Sequence, residues 1–346
     1  MALFKKPEDI KVGVVGYGGA FNMGRAHLTE MQRAGMTPVA VAELDKARRQ
    51  VAMQEFPDIK TYATVGQMLK DSDVHLVAII TPHNTHAKLA LQCLKAGRSV
   101  VCEKPLAITT AECDAMIAAA EANNLVLSTY HNRHWDGCIL EAMTRIKGEG
   151  IIGEIIRIEA HMGSYGQPRD WWRTSKTISG GILYDWGVHL LEYSLQLLAP
   201  AEIMEVSGFA KSGRWAEKTA WLADTNEDEG HAVVRFNTGA WLSLNISNVD
   251  ANAKADRGWL EITGTQGSYI MDGGTYTIIR PEANPSVVKG TNPPSEGWRF
   301  YQNIADHLVQ ETPLVITGAW ARRPIHILDL ACKSAEKNMA LKAKYR

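Results

Sequence analysis

The stretch VVGYGGAFNMGRAH, Val14–His27, has the residue types needed to bind a phosphate group. Its glycines (Gly16, Gly18, Gly19 and Gly24) allow a tight turn in which backbone amides approach an anion, and the residues that follow have helical spacing. In a dinucleotide-binding turn the helix N-terminus then faces the pyrophosphate, but the usual G-x-G-x-x-G spacing is exceeded here by about three residues. The first interpretation is a phosphate-binding turn with inserted residues, and the alternative is a glycine-rich loop without a ligand.

Charged and polar side chains follow three later runs that have the pattern of buried strands. Glu43 ends the first of these runs, where a carboxylate would accept hydrogen bonds from both ribose hydroxyls and repel a 2′-phosphate. NAD is therefore favoured over NADP, with a solvent-facing glutamate as the alternative. Thr81–Pro82 and Glu103–Lys104–Pro105 follow the next two runs, at the carboxyl edge where open α/β sheets bind ligands.

Two different patterns of secondary-structure signals along the chain predict two domains, residues 1–133 and 134–346. Residues 11–130 alternate between short β-branched runs and longer helical periods, which predicts a parallel sheet with right-handed crossovers. Later strand-like runs, separated by turns such as GTQG and DGG, predict an α+β domain with one large open sheet. The Pro/Gly-rich segment 283–297 is predicted to be a surface loop, and the C-terminal helix is a candidate to pack back on the first domain.

The bulk properties exclude several classes of partner. A formal net charge of −1 over 346 residues gives no electrostatic case for nucleic acid or an anionic membrane. No apolar run approaches the ~20 residues needed to cross a bilayer, and the start MALFKKPEDIKVG lacks a signal core, which favours the cytoplasm. Five scattered cysteines predict reduced, mostly packed thiols. The histidine pairs in HNTH and HNRH lack an accompanying cysteine or carboxylate cluster, so no metal site is expected.

Several motifs together resemble the Gfo/Idh/MocA oxidoreductases, the glucose–fructose oxidoreductase and inositol dehydrogenase family. Besides the glycine turn they are TPHNTH (81–86), AGRSVVCEKPLA (96–107), HNR (131–133), GGILYDWGVHLLE (180–192), LEITGTQGS (260–268) and AWARRPIHILDLACKSA (319–335). The resemblance covers nearly the whole chain. It implies an N-terminal NAD-binding Rossmann domain and a C-terminal substrate-binding domain with a large, mostly antiparallel sheet. It also implies hydride transfer on a carbohydrate or polyol, and a homodimer or homotetramer formed through that sheet.

The same resemblance implies the site residues. Lys104, Asp185 and His189 correspond to the reactive trio. The implied coenzyme contacts come from the glycine turn, the strand ends and the HNR motif: Gly16, Gly18, Gly19, Phe21, Asn22, Met23, Glu43, Thr81, Pro82, Asn84, His86, Glu103, Lys104 and Asn132. The glycine turn departs from the family pattern by its length.

The chemistry of the trio suits the oxidation of an alcohol. Histidine is a base that changes charge near neutral pH, so His189 can take the hydroxyl proton. Asp185 lies four residues earlier on a helix predicted over residues 183–198 and can orient the imidazole or the substrate hydroxyl. Lys104 would stabilise a developing alkoxide, and Pro105 permits an unusual backbone geometry there. The alternatives are an exposed helical ion pair and a surface lysine.

Aromatic residues concentrate near the proposed pocket, and flat rings suit the apolar faces of sugars. They are Trp135, Trp171, Trp172 and Trp186, with Arg169, Asp170 and Arg173 beside them as candidates to bind hydroxyls. The predicted substrate contacts are Lys104, Arg133, His161, Trp172, Asp185 and His189. Core or subunit-interface packing is the alternative for each tryptophan.

The leading functional hypothesis is an NAD-dependent dehydrogenase that acts on a sugar, a cyclitol or a related polyol. A glycoside-cleaving enzyme of the same fold is the alternative, in which transient oxidation at C3 precedes elimination of the aglycone. A sugar sensor without catalysis is a third possibility, which the retention of Lys104, Asp185 and His189 disfavours.

Overall fold

The computed structural model describes residues 3–252, 258–282 and 284–345, and the chain divides into two compact units. The first unit contains Met1–Asn132 and Trp298–Arg322, and the second contains Arg133–Gly297 and Arg323–Arg346. Residues 298–322 therefore belong to the first unit, although the sequence pattern predicted a second domain over 134–346.

The first unit is built on a six-stranded sheet in the order β3-β2-β1-β4-β5-β6, and every pair in it is parallel. The strands are β1 (Lys11–Val15), β2 (Thr37–Ala42), β3 (Lys60–Tyr62), β4 (Leu76–Ile79), β5 (Ser99–Cys102) and β6 (Leu127–Thr129). The predicted Rossmann sheet is confirmed. Only β3 lacked a sequence signal, because three residues at a sheet edge carry too little periodicity to be recognised.

The central strands of this sheet consist of apolar residues that are buried on both faces. Val12, Val14, Val77 and Val100 all have no exposed surface, as expected for a parallel sheet covered by helices on both sides. The carboxyl ends of these strands lie at one edge of the sheet, where the glycine turn and the TPHNTH and EKP motifs begin.

Most of the helices lie in the predicted helical periods, but the short helices over 65–71 and 176–179 were not predicted. The helices are α1 (Met23–Arg33), α2 (Lys46–Glu55), α3 (Val65–Asp71), α4 (His86–Lys95), α5 (Thr110–Ala122), α6 (Gly137–Ala142), α7 (Lys176–Ser179), α8 (Leu183–Leu198), α9 (Arg299–Gln310) and α10 (Gly318–Lys337). Local capping explains where several of them begin; in α5 the Thr109 side chain and the Glu112 carboxylate form a capping box. A π-helix over Met143–Gly148 continues α6.

The second unit contains a nine-stranded sheet in the order β14-β13-β12-β11-β7-β10-β9-β8-β15. Its strands are β7 (Ile155–Gly163), β8 (Ile203–Lys211), β9 (Glu229–Phe236), β10 (Trp241–Ser247), β11 (Leu260–Gly264), β12 (Gly267–Met271), β13 (Thr275–Arg280), β14 (Ser286–Thr291) and β15 (Leu341–Lys342). Among the strands that the structure describes in this sheet, only β7 and β10 pair in parallel, so the predicted mostly antiparallel sheet is confirmed. The prediction of a loop over 283–297 was wrong, because an exposed edge strand, β14, lies inside it.

One face of the large sheet packs against α8, and the other face is polar. Ile158 and Ala160 of β7 are buried, and a Cβ built on Gly187 of α8 would lie 3.2 Å from Leu244 of β10. The alternate residues Glu159 and His161 line a cavity of about 620 Å³ on the opposite face. Because side chains of a strand alternate between its faces, α8 and this polar cavity lie on opposite sides of the sheet.

The cysteines are all free thiols. Cys93, Cys102 and Cys113 are buried in the first unit, Cys138 is buried in the second, and Cys332 is half-buried there. Burial raises the pKa of Cys93, of Cys138 and of Cys332 to about 12. Among the described residues, no helix has the length and apolar character to span a membrane.

Candidate active site

The glycine turn connects β1 to α1 through a backbone that only glycine adopts easily. Gly16 has a φ of +98°, and a Cβ there would lie 2.8 Å from the carbonyl oxygen of Ile80. Asn22 then takes a left-handed conformation, with a φ of 50°, directly before Met23 begins the helix. The inserted residues therefore enlarge the turn but leave the order of strand, turn and helix intact.

The N-terminus of α1 has the features of an anion site. Among the described residues no side chain caps this helix, so its first backbone amides have no partner within the helix. A Cβ built on Gly18 would meet no described residue within 4 Å other than its chain neighbours, and one built on Gly19 would lie 3.2 Å from Nη1 of Arg48. Phe21 is 56% exposed beside them. Open backbone amides and a positive helix end fit the pyrophosphate of a dinucleotide.

Glu43 connects the end of β2 to the glycine turn. Its Oε2 accepts a hydrogen bond from the Tyr17 amide at 2.6 Å, and its Oε1 accepts one from the Asp45 amide at 2.9 Å. Arg48 reaches the same turn, since its Nε donates to the Tyr17 carbonyl at 2.8 Å. The Glu43 carboxylate is thus fixed beside the turn, at the position where a Rossmann fold binds the adenosine ribose.

The TPHNTH motif follows β4, and its last histidine, His86, links two backbone segments inside the first unit. The His86 imidazole is fully buried, with Nδ1 2.8 Å from the Pro105 carbonyl oxygen and Nε2 2.8 Å from the Thr81 carbonyl oxygen. Both ring nitrogens thus contact backbone, so His86 joins the loops after β4 and β5. Asn84 is exposed and Pro82 is half-buried in the first of these loops.

The EKP motif follows β5 and places Lys104 at the carboxyl edge of the sheet. Lys104 is half-buried, and its peptide bond to Pro105 is cis. Burial alone would raise the pKa of Glu103, but the hydrogen bond and charge of His27, together with the Lys104 ammonium and amide, lower it below its ordinary value. Glu103 is therefore ionised at neutral pH. Asn132, another predicted coenzyme contact, is half-buried at the end of the first unit.

Glu103→Gln is expected to destabilise the protein at neutral pH, by an amount that shrinks in acid. Because the pKa of folded Glu103 lies below the ordinary value of 4.5, its carboxylate stabilises the fold above pH 4.5 and loses this effect as the pH falls through the folded pKa. Denaturant unfolding of both proteins, at neutral pH and at several acid pH values, measures the difference. A difference in unfolding free energy that is the same at every pH contradicts this assignment.

Asp185 and His189 lie on α8, in the second unit, one helical turn apart. The Asp185 side chain is 41% exposed, whereas His189 is only 7% exposed. The ring of Trp186 packs against His189 with centroids 5.7 Å apart. The helix thus presents an accessible carboxylate and a mostly buried imidazole at positions that share a face.

Arg173 links the predicted tryptophan pair to Asp185. Its guanidinium carbon lies 4.9 Å from the ring centroid of Trp171 and 4.5 Å from that of Trp172. Its Nε is 3.5 Å from Oδ1 of Asp185. These contacts place a cation and two flat rings beside the carboxylate, a combination that suits a ligand with hydroxyl groups and apolar C–H faces.

Arg133 contacts a second group of aromatic rings in the same unit. Its guanidinium carbon lies 5.2 Å from the ring centroid of Trp186 and 5.9 Å from that of Trp259, and Nη1 contacts Oδ2 of Asp136 at 2.9 Å. Trp259 also stacks on Tyr193 of α8, with centroids 6.3 Å apart. Trp259 was not predicted as a site residue, because no periodic spacing connects it to α8.

His161 lies on the other side of the large sheet from Asp185 and His189. Its Nε2 is 2.7 Å from Oδ2 of Asp250, and both residues line the polar cavity with Glu229. The substrate contact predicted for His161 rested on its place near a strand end. Strand alternation turns its side chain to the face opposite α8.

Comparison with known proteins shows the same two-part organisation. A protein-family model described as "Oxidoreductase family, NAD-binding Rossmann fold" matches residues 10–131. A second one, the "GFO/IDH/MocA C-terminal domain", matches residues 140–270. Together these matches cover both sheets up to β11 and the first residues of β12.

Relatives of known name extend over most of the chain. The scyllo-inositol 2-dehydrogenase (NADP(+)) IolW of Bacillus subtilis is 28% identical and covers 97% of each chain. The myo-inositol 2-dehydrogenase of Thermotoga maritima is 26% identical and covers 78% of this chain and 77% of its own. A solved structure described as levoglucosan dehydrogenase in complex with NADH and levoglucosan has a TM-score of 0.81 at 20% identity, over 97% of this chain and all of its own. The chain belongs to the Gfo/Idh/MocA family of oxidoreductases.

Proposed function

We propose that this protein is a dehydrogenase that transfers a hydride between a hydroxyl-bearing carbon of a sugar, cyclitol or related polyol and NAD. The observation that carries the proposal is the pairing of Asp185 and His189 on one face of α8, with Arg173 and its two tryptophan rings beside the carboxylate. The names of the inositol dehydrogenase relatives support the substrate class.

Each residue of the trio has a role in the proposed reaction. His189 takes the proton from the substrate hydroxyl as the carbon–hydrogen bond breaks, and returns it in the reverse direction. Asp185, held near Arg173, accepts a hydrogen bond from the substrate or from the imidazole. Lys104 donates to the oxygen on which negative charge develops. NAD, when bound, supplies the hydride acceptor.

The second unit also supplies the proposed recognition of the polyol. Trp172 and Trp186 offer flat apolar surfaces for ring C–H groups, while Arg173 and Arg133 bring guanidinium donors next to those rings. A neutral polyhydroxylated ring satisfies both kinds of contact. His161 has no part in this proposal, because it lies on the opposite face of the sheet.

We propose that the coenzyme is NAD rather than NADP, on the basis of Glu43. Its fixed carboxylate can accept hydrogen bonds from ribose hydroxyls and would repel a 2′-phosphate. The NADP(+) named for the Bacillus subtilis relative makes this preference a point to measure.

Glu43→Gln is expected to lower the ratio of kcat/KM for NAD to kcat/KM for NADP by at least about tenfold, since repulsion between nearby charges is worth several kcal/mol before screening. Glutamine keeps one acceptor oxygen for the backbone amides while it removes the charge. Because the readout is a ratio, a general loss of stability affects both coenzymes equally. An unchanged ratio would refute the ribose assignment.

The activity itself is tested with purified protein and a panel of inositols, aldoses, anhydrosugars and aryl glycosides. NADH formation with a polyol or sugar, absent in Asp185→Asn, is the expected result. Release of an aglycone without net NADH would instead identify the glycoside-cleaving alternative. Ligand binding with neither reaction would identify a sensor.

A further inference from the structure

Glu103 is held between a buried histidine and the backbone of Lys104. Oε1 of Glu103 lies 3.1 Å from Nε2 of His27, a residue of α1. Oε2 of Glu103 accepts a hydrogen bond from the Lys104 amide at 2.9 Å. One carboxylate thus connects α1 to the peptide group that leads into Lys104.

The direction of both hydrogen bonds to Glu103 follows from its negative charge. An ionised carboxylate only accepts, so Nε2 of His27 carries a proton and donates it to Glu103. Nδ1 of His27 lies 2.5 Å from the Tyr301 hydroxyl of α9, so the same ring also connects α1 to α9. The Glu103 carboxylate therefore accepts from both sides, from Nε2 of His27 and from the Lys104 amide.

The hydrogen bonds of His27 lie in the buried interior of the first unit. His27 and Tyr301 have no exposed surface, and the ring of Tyr130 packs 4.2 Å from the His27 ring. Hydrogen bonds to a charged group are stronger than hydrogen bonds between neutral groups. A buried polar group that loses its partner also cannot form a replacement hydrogen bond with water. The Glu103 carboxylate is therefore confined to one orientation.

We propose that His27 is a positioning residue for Lys104. By fixing the Glu103 carboxylate it fixes the peptide plane before Lys104, and with it the direction in which the side chain leaves the carboxyl edge of the sheet. His86 holds the following residue, through the Pro105 carbonyl oxygen at 2.8 Å. The functional part of this inference rests on the role proposed above for Lys104.

Two substitutions that differ by one methylene separate positioning from simple packing. In His27→Gln the amide nitrogen takes the place of Nε2 and still donates to Glu103. In His27→Asn the amide takes the place of Nδ1, so contact with Tyr301 remains possible while the donor to Glu103 is lost. Tyr130→Phe is the matched control. It removes a hydroxyl near His27 that donates to Glu30 at 2.7 Å and is not part of the hydrogen bonds that link His27, Glu103 and the Lys104 amide.

Hydrogen exchange of the Lys104 amide gives a readout that needs neither substrate nor coenzyme. With lysine selectively labelled with ¹⁵N, we expect His27→Asn to accelerate this exchange by about tenfold or more, whereas His27→Gln and Tyr130→Phe stay close to the wild type. Tyr301→Phe, which removes only the hydroxyl that contacts Nδ1 of His27, is the milder second variant and should accelerate exchange by a smaller factor. Equal exchange in His27→Asn, His27→Gln and the wild type would overturn the inference.

Kinetics with the substrate found by the panel complete the test. Loss of a supporting hydrogen bond typically costs about 10- to 100-fold in activity, so kcat of His27→Asn should fall by this factor while KM and the Kd for NAD change by less than about threefold. His27→Gln should recover most of kcat. A wild-type kcat in His27→Asn, together with an inactive Lys104→Met, refutes the inference alone; a fully active Lys104→Met refutes the proposed role of Lys104 instead.

Discussion

Replacement of His189 by alanine lowers kcat by about 10²- to 10⁴-fold, the contribution of a well-placed general base, while the Kd for NAD changes by less than about threefold. The reason is that the imidazole accepts the hydroxyl proton as the hydride leaves, and alanine offers no acceptor. His189 lies in the second unit, apart in sequence from the glycine turn and Glu43, so coenzyme binding is expected to persist. Initial rates and NAD titration by tryptophan fluorescence measure the two quantities separately.

A matched control for this variant is His231→Ala. His231 is also a partly buried histidine of the second unit, but it lines the polar cavity on the face of the sheet opposite α8, where its Nε2 lies 3.1 Å from Oγ of Ser243. Its turnover should stay within about twofold of the wild type, as is usual for changes away from a reacting centre. Wild-type turnover in His189→Ala, with a normal fold, would contradict the assignment of the base.

Replacement of Lys104 by methionine lowers kcat by about 10²- to 10³-fold, the usual cost of removing one donor from a developing oxyanion. Methionine keeps the length and the apolar stem of lysine, so the variant removes the charge and the donors but little packing. Glu103 keeps its contact with the Lys104 backbone amide, because that contact does not involve the side chain. Single-turnover rates, which report the chemical step, are the measurement of choice.

Lys95→Met is the corresponding control. Lys95 is the exposed last residue of α4 in the same unit, close in sequence to the start of β5, so the same chemical change is made away from the carboxyl edge of the sheet. Its rates should match those of the wild type. If both variants lose activity to the same extent, the loss in Lys104→Met reflects charge or stability rather than a role at the reacting oxygen.

Much of the fold was predictable from periodicity. The helix expected over 183–198 agrees with α8 residue for residue, because a long apolar face with a helical period leaves few alternatives. The edge strands β3 and β14 were missed. The first has three residues, and the second combines exposed residues with flanking prolines and glycine, a composition typical of loops.

The candidate site was predictable only where a motif carries its chemistry locally. Asp185 and His189 share a helical face by their spacing alone, and the glycine turn has its signature in one stretch. The contact between His27 and Glu103 joins residues 76 positions apart, and the contact with Tyr301 joins residues 274 apart, so only the tertiary structure reveals them. His161 shows the reverse situation: proximity to a strand end suggested a substrate contact, whereas the alternation of side chains across the sheet places His161 on the face opposite α8.

The distribution of the thiols has a practical consequence for following how the protein opens. Three buried cysteines lie in the first unit, and Cys138 and Cys332 lie in the second, so an alkylating reagent labels each unit at its own positions. A thiol whose pKa is raised by burial is a poor nucleophile until its surroundings unfold. Mass spectrometry of partially alkylated protein therefore measures the rate at which the cysteines of each unit become accessible, and it does so for both units in a single sample.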